Sequence, residues 1–359
     1  MRLLIILLLA SCFTAGAQDV AHQWFNSPDQ WANTPMDSVL TVPRSQLDTC
    51  LVVASNRKID RKDMRYMTEI REEGQIHYQF VYVNNGVWHV LPVASLREAI
   101  SYLPNKNSDW VVYTEGMGKT YVGDLDRGIR LGAYFKVNVL LLDYPSISSH
   151  KKNLGNYIFA TRNASTAYHE FYPVLDSVKR LRMTGQMGSG CLSLFFHSMG
   201  NKVMREIARH DSKLGTLNDS VWVNNLVLNA PCVPERGHKK WLSKVHFARS
   251  TYVNYNPDDG TLYWAHFVSF RKQLGEKVRK PLVPNAYYVN FSEVVGKNHS
   301  NFLPLPAHPA TSDEAIEYYR RILHGDVAQL AAEGKFKPSS YHGIGWDMLP
   351  QTTSSTAQK

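Results

Sequence analysis

The sequence predicts an α/β fold: a mainly parallel central sheet with helices on both faces and antiparallel strands at its N-terminal edge. Three observations carry this. From Trp110 onward, short apolar strands alternate with helical stretches, the rhythm of βαβ units. Some of these strands, Val139 to Leu142 above all, are unbroken apolar runs, as expected for strands covered on both faces. Upstream, the β-rich run Ile76 to Val83 meets Asn84-Asn85-Gly86 and then Val87 to Leu91, which is a hairpin signal.

The elements follow in order. Met1-Arg2, the apolar run Leu3 to Ala10 and the small residues Ala15-Gly16-Ala17 lay out a cleaved signal peptide over 1–17. The protein is therefore expected to be exported, periplasmic or secreted in a bacterium. A second reading takes Leu9-Ala10-Ser11-Cys12 as a lipoprotein box, with Cys12 as a membrane anchor. Residues 18–48 read as an irregular lead-in rich in Pro, Ser and Asp. Leu51 to Ala54 is a short strand, and Ala94 to Leu103 has helical spacing. Strands are expected at 110–113, 137–142, 192–196, 221–228, 251–255 and 286–291. Helices are expected at 123–135, 156–183, 199–209 and 313–323. The stretch 49–349 forms one domain, and the Ser/Thr/Gln-rich 350–359 is a tail.

The 359 residues suffice for a large single core. The formal charge of +9 raises the question of nucleic acid, but the Lys and Arg are scattered. Pairs such as Arg57-Lys58, Arg61-Lys62 and His238-Lys239-Lys240 fall in expected connections, with no nucleic-acid-binding signature beside them. A solvated basic surface is the reading, with attraction to anionic surfaces or substrates left open. Removing the leader leaves Cys50, Cys191 and Cys232, too few for a disulfide framework. A Cys50–Cys232 bridge stays open, and Cys191 is expected to be buried. No Cys/His spacing of metal-ligand type occurs. Gly118-Lys119-Thr120 ends like a phosphate loop, but Tyr113 stands where that loop needs its first glycine.

The chemistry is concentrated at Cys191-Leu-Ser-Leu-Phe-Phe-His197-Ser198-Met199-Gly200-Asn201-Lys202. An apolar strand runs into a short turn, and an amphipathic helix begins at once. This is the setting of a nucleophile elbow, which lifts a serine hydroxyl clear of the sheet edge. Gly200 is needed where strand and helix approach each other, and the helix start favours a developing oxyanion.

On these residues the chain resembles the α/β-hydrolase superfamily. It is most similar to a poorly characterised bacterial group whose elbow reads His-Ser-Met-Gly-Asn and a basic residue, here His197 to Lys202. Weaker likeness lies at Ala54-Ser55-Asn56-Arg57, Asp143-Tyr144-Pro145-Ser146 and Leu226 to Pro231. The resemblance implies the α/β-hydrolase fold and a Ser–acid–His hydrolase without a cofactor. Two positions depart from the pattern. Phe196 stands where Gly or Ala is usual, so the turn must open slightly or the ring must enter the core. Glu115 replaces a histidine in Thr114-Glu115-Gly116-Met117-Gly118, so its charge must be paired or turned away from an oxyanion.

The fold's chain order is Ser, acid, His. Asp259 is the expected acid, by resemblance, with Asp258 in reserve and Glu235 a distant third. The competing reading of Pro257-Asp258-Asp259-Gly260 is an ordinary turn. His299, in a Gly/Asn/Ser-rich loop between the last strand and last helix, is the expected base, ahead of His266 and His308. The backbone N–H groups of Met199 and of the Gly116–Met117 segment would form the oxyanion hole. The expected substrate is a small-molecule or lipid acyl compound (an ester, thioester or relative). A catalytically silent scaffold that binds an envelope ligand or partner is the alternative, and a peptidase or acyltransferase a third reading. Pocket-forming insertions are expected within 143–170 and 231–250.

Overall fold

Alternate residues of the first long strand serve opposite cores. In β1 (Thr49–Ser55), Val52 and Ala54 join one apolar cluster, while Leu51 and Val53 join the other. This is the two-residue period of a pleated strand applied to a sheet covered on both faces. The computed structural model describes residues 34–60, 67–305, 311–327, 334–340 and 344–350. The leader with Cys12, most of the lead-in, Arg61-Lys62, His308 and the tail beyond 350 lie outside the described residues.

The protein is α/β, built on a large mixed, mostly parallel sheet flanked by helices. Besides β1, its strands are β4 (His77–Asn84), β5 (Val87–Val93), β6 (Trp110–Thr114), β7 (Asn138–Asp143), β8 (Leu192–His197), β9 (Val223–Asn229), β10 (Ala248–Tyr255), β11 (Ala286–Asn290), β12 (Phe336–Pro338) and β13 (Trp346–Met348). Their order is β12-β13-β11-β10-β9-β8-β6-β7-β1-β4-β5. The pairs from β1 through β13 by way of β7, β6, β8, β9, β10 and β11 are parallel. β4 and β5 form the antiparallel hairpin at one edge, and β12 is antiparallel to β13 at the other. Within the lead-in, Asp37 N–H donates to Val90 O and Val90 N–H to Pro35 O, so this stretch pairs briefly with β5. A small separate ladder joins β2 (Arg57–Ile59) to β3 (Met67–Arg71).

One face of the sheet is covered by α1 (Leu96–Ser101), α3 (Asn153–Thr166), α4 (Tyr168–Met183), α5 (Asn201–Arg209), α6 (Asp211–Leu217), α7 (His238–Leu242) and α8 (Gly260–Ser269). The other is covered by α2 (Tyr121–Phe135), α9 (Ser292–Val295) and α10 (Asp313–Leu323). The local chemistry explains several boundaries. Ser95, Thr120 and Ser312 cap α1, α2 and α10 by accepting amide hydrogen bonds. The single long helix expected over 156–183 is instead two helices meeting at Ala167. Thr166 Oγ1 donates back to the carbonyls of Arg162 and Asn163, a bond that competes with the helix ladder and bends it.

Two further expectations are corrected. Arg57, expected in a solvated connection, is fully buried. Its Nε lies 2.9 and 3.0 Å from the two Asp143 oxygens, and its Nη2 donates to Tyr144 O and Lys119 O. The guanidinium thus ties the end of β1 to the end of β7, where carbonyls and a carboxylate converge that a hydrated arginine would not reach. Cys50, Cys191 and Cys232 are all free thiols, which closes the question of a bridge. Cys191 is half-buried, because it lies just before β8 and not within it.

Candidate active site

The chain leaves β6 for β7 on one side of the sheet, and β8 is added on the other. At such a switch point the loops leaving two neighbouring parallel strands diverge and open a crevice at the strands' carboxyl ends. The two loops here begin at Thr114-Glu115-Gly116 and at Ser198. They touch: a Cβ on Gly116 would stand 2.7 Å from Ser198 Cβ and 3.1 Å from its Oγ. Only glycine fits there.

Ser198 begins the turn between β8 and α5 with φ of 50°, left-handed for a residue that carries a side chain. Such strain persists only where the surroundings enforce it. Three features enforce it. Gly200 lets the turn close, since a Cβ there would stand 2.6 Å from Thr114 O and 2.8 Å from Glu115 O. Asn201 Nδ2 donates to the carbonyls of Phe196, Ser198 and Asn229, stapling strand end, turn and the neighbouring strand together. Cys232 N–H donates to Ser198 O from the next loop. Phe196 is fully buried in the apolar cluster, so its ring has gone into the core.

Asp259 and His299 meet above the same sheet edge. Asp259 lies just beyond β10 as the N-cap of α8, where its Oδ1 accepts the Thr261 and Leu262 amides, both at 2.9 Å. Its Oδ2 lies 2.6 Å from His299 Nδ1. One carboxylate therefore both closes the turn and faces the imidazole of His299. Asn256 Nδ2 donates to Gly296 O at 2.7 Å, fastening the acid's loop to the base's loop. Asp258 points into solvent, and Glu235 lies in the wall of a different hollow. His266 pairs with Glu276 at 3.2 Å, away from Asp259.

Nδ1 of His299 is held by Asp259, and Nε2 makes no hydrogen bond to another described residue. The rings of His299 and His197, the residue before Ser198, are 4.8 Å apart. Ser198 Oγ makes no hydrogen bond to another described residue.

Glu115 is paired. Its carboxylate accepts Tyr113 O–H at 2.7 Å and the Gly116 N–H at 2.6 Å, and faces Arg127 and His197, each at 3.5 Å. Burial opposes its charge, but Arg127, Lys119, the Gly116 amide and the N–H that the neutral His197 turns toward it outweigh it and hold the carboxyl well below its ordinary range. His197 itself is pushed well down by burial and is neutral. Its Nδ1 accepts from Asn229 Nδ2, whose Oδ1 is taken by Tyr319 O–H, so the imidazole proton sits on Nε2 facing Glu115.

This pairing bears on the three amides expected to meet an oxyanion. The Gly116 N–H, one of the three expected, is spent on Glu115. The Met117 amide makes no hydrogen bond to another described residue, and the Met199 amide precedes the first intrahelical bond of its turn.

Sequence reasoning gave no role to Asn201, Asn229, Asn256 or Arg127. Asn201 left a signal as a member of the elbow pattern His197 to Lys202, and Asn229 one within Leu226 to Pro231. Among the described residues no group of three or more His, Cys, Asp or Glu side chains is placed to hold a metal ion. No helix among them is long and apolar enough to cross a membrane. Comparison of the chain with protein-family models, curated proteins and solved structures found no match in any of the three.

Proposed function

We propose that this protein is a serine hydrolase of the α/β-hydrolase fold that cleaves an ester, thioester or related acyl bond through Ser198, His299 and Asp259. The observation that carries the reading is the 2.6 Å contact between Asp259 and His299, forty residues apart, above the sheet edge where Ser198 occupies a strained strand-to-helix turn.

In this mechanism His299 Nε2 takes the Ser198 proton as Oγ attacks the acyl carbon. Asp259, fixed by two amides on its other oxygen, holds the imidazole tautomer and stabilises the imidazolium. The tetrahedral oxyanion is met by the amides of Met199 and Met117; removing one such donor from a site of this kind raises the barrier by about 3 kcal/mol. His299 then protonates the leaving group, and water, deprotonated by the same imidazole, resolves the acyl-enzyme. Glu115 does not oppose the oxyanion, because its charge is spent on Arg127 and the Gly116 amide.

A fluorophosphonate probe tests the reading directly. The folded protein is expected to label at Ser198, and Ser198→Ala and His299→Ala to abolish labelling. A folded protein that resists the probe would assign the fold to the alternative, a binding scaffold without acyl chemistry.

A further inference from the structure

Helix α8 begins at Asp259 but ends in a surface of another kind. Tyr263 and Phe267, four residues apart, lie on one side of the helix, and Phe270 is its C-cap. They are 64%, 46% and 84% exposed. Phe270 holds φ of 54°, a left-handed cap position that glycine usually fills. Strain and solvent exposure of a phenyl ring thus fall on one residue, and an interaction surface accounts for both.

The chain then becomes basic. Arg271, Lys272, Lys277, Arg279 and Lys280, joined by Arg236 from the loop after β9, line a hollow of about 980 Å³ that also includes Phe270. Among the described residues that line the hollow, these six cations face one carboxylate, Glu235.

We propose that this face docks the protein on an anionic lipid bilayer, with these aromatic rings entering the interfacial layer and the six cations meeting lipid phosphates. Aromatic side chains flanked by Lys and Arg suit that boundary, where one layer is apolar and the next is anionic. A fluid anionic surface satisfies scattered cations without matched geometry, whereas cores of protein interfaces are depleted of Lys. The docking is independent of whether Ser198 is a nucleophile.

Co-sedimentation of the full chain with vesicles of phosphatidylcholine, and of phosphatidylcholine with one-third phosphatidylglycerol, tests this. Stronger binding to the anionic vesicles is expected, weakening as salt is raised. Lys272→Gln with Arg279→Gln is expected to weaken it about thirtyfold, and Phe267→Ser with Phe270→Ser at least tenfold, by order of magnitude. These four side chains are exposed, so thermal unfolding is expected to match the parent. Every version carries the same N-terminal apolar run, whose contribution cancels between parent and variant. Equal binding to both vesicles, or variants that bind as the parent does, overturns the proposal. So does a dimer lost on Phe270→Ser without vesicle binding, which would assign the aromatic rings to a second copy.

Discussion

Asp259 is held from two sides: one carboxylate oxygen caps α8 through the Thr261 and Leu262 amides, and the other lies 2.6 Å from His299 Nδ1. The acid cannot rotate without giving up helix-capping bonds, so the imidazole's orientation is fixed by the backbone of α8.

Asp259→Asn keeps a side-chain oxygen for the cap but loses the charge that stabilises an imidazolium. Hydrolysis of an activated ester is expected to fall about ten-thousandfold, with little change in the urea midpoint. Asp258→Asn, at an exposed position, is expected to leave both unchanged.

Gly116→Ala places a methyl group against Ser198 Cβ and Oγ. Either the serine or the loop carrying the Met117 amide must move, and a displaced oxyanion donor costs about a hundredfold in turnover. Steady-state kinetics should show this in kcat more than in KM.

His197 makes stability depend on pH. Its folded value lies below the ordinary 6.5, so below that pH the unfolded chain binds the extra proton and stability falls with falling pH. The expected slope is up to about 1.4 kcal/mol per pH unit. Chemical melts of His197→Gln between this point and the ordinary glutamate value should show a shallower loss than the parent.

Glu115 acts in a lower window. Its folded value lies below the ordinary 4.5, so its contribution is full above 4.5 and is lost as pH falls from there. Glu115→Gln leaves Arg127 buried without its partner and is expected to destabilise the neutral-pH protein by about 3 kcal/mol. Its melts should show a smaller acid-side loss below 4.5 than the parent's, since the hydrogen-bonded Asp347 still contributes its own.

Arg57→Met strands Asp143 without its guanidinium in the interior. A loss of about 3–5 kcal/mol is expected in urea unfolding.

The βα rhythm was legible because strand and helix periods are local properties of apolar spacing. The hairpin announced itself at Asn84-Asn85-Gly86, where Asn85 and Gly86 both adopt positive φ. β12 and β13 passed unnoticed, because three-residue strands carry too few side chains for a period. Arg57 was misplaced for a related reason. Its burial comes from Asp143, 86 positions away, and no window along the chain contains both.

The candidate site divides along the same line. Along the chain alone one can read that an apolar strand turns into a helix at Ser198, that Gly200 permits the turn, and that an acid and a histidine follow in order. That Asp259 and not Asp258 faces His299, that Glu115 is paired with Arg127, and that the Gly116 amide is occupied follow from the folded arrangement. Patterning along a chain fixes which residues begin and end each element. Where their side chains meet depends on the strand order of the sheet, which brings separate loops to one edge.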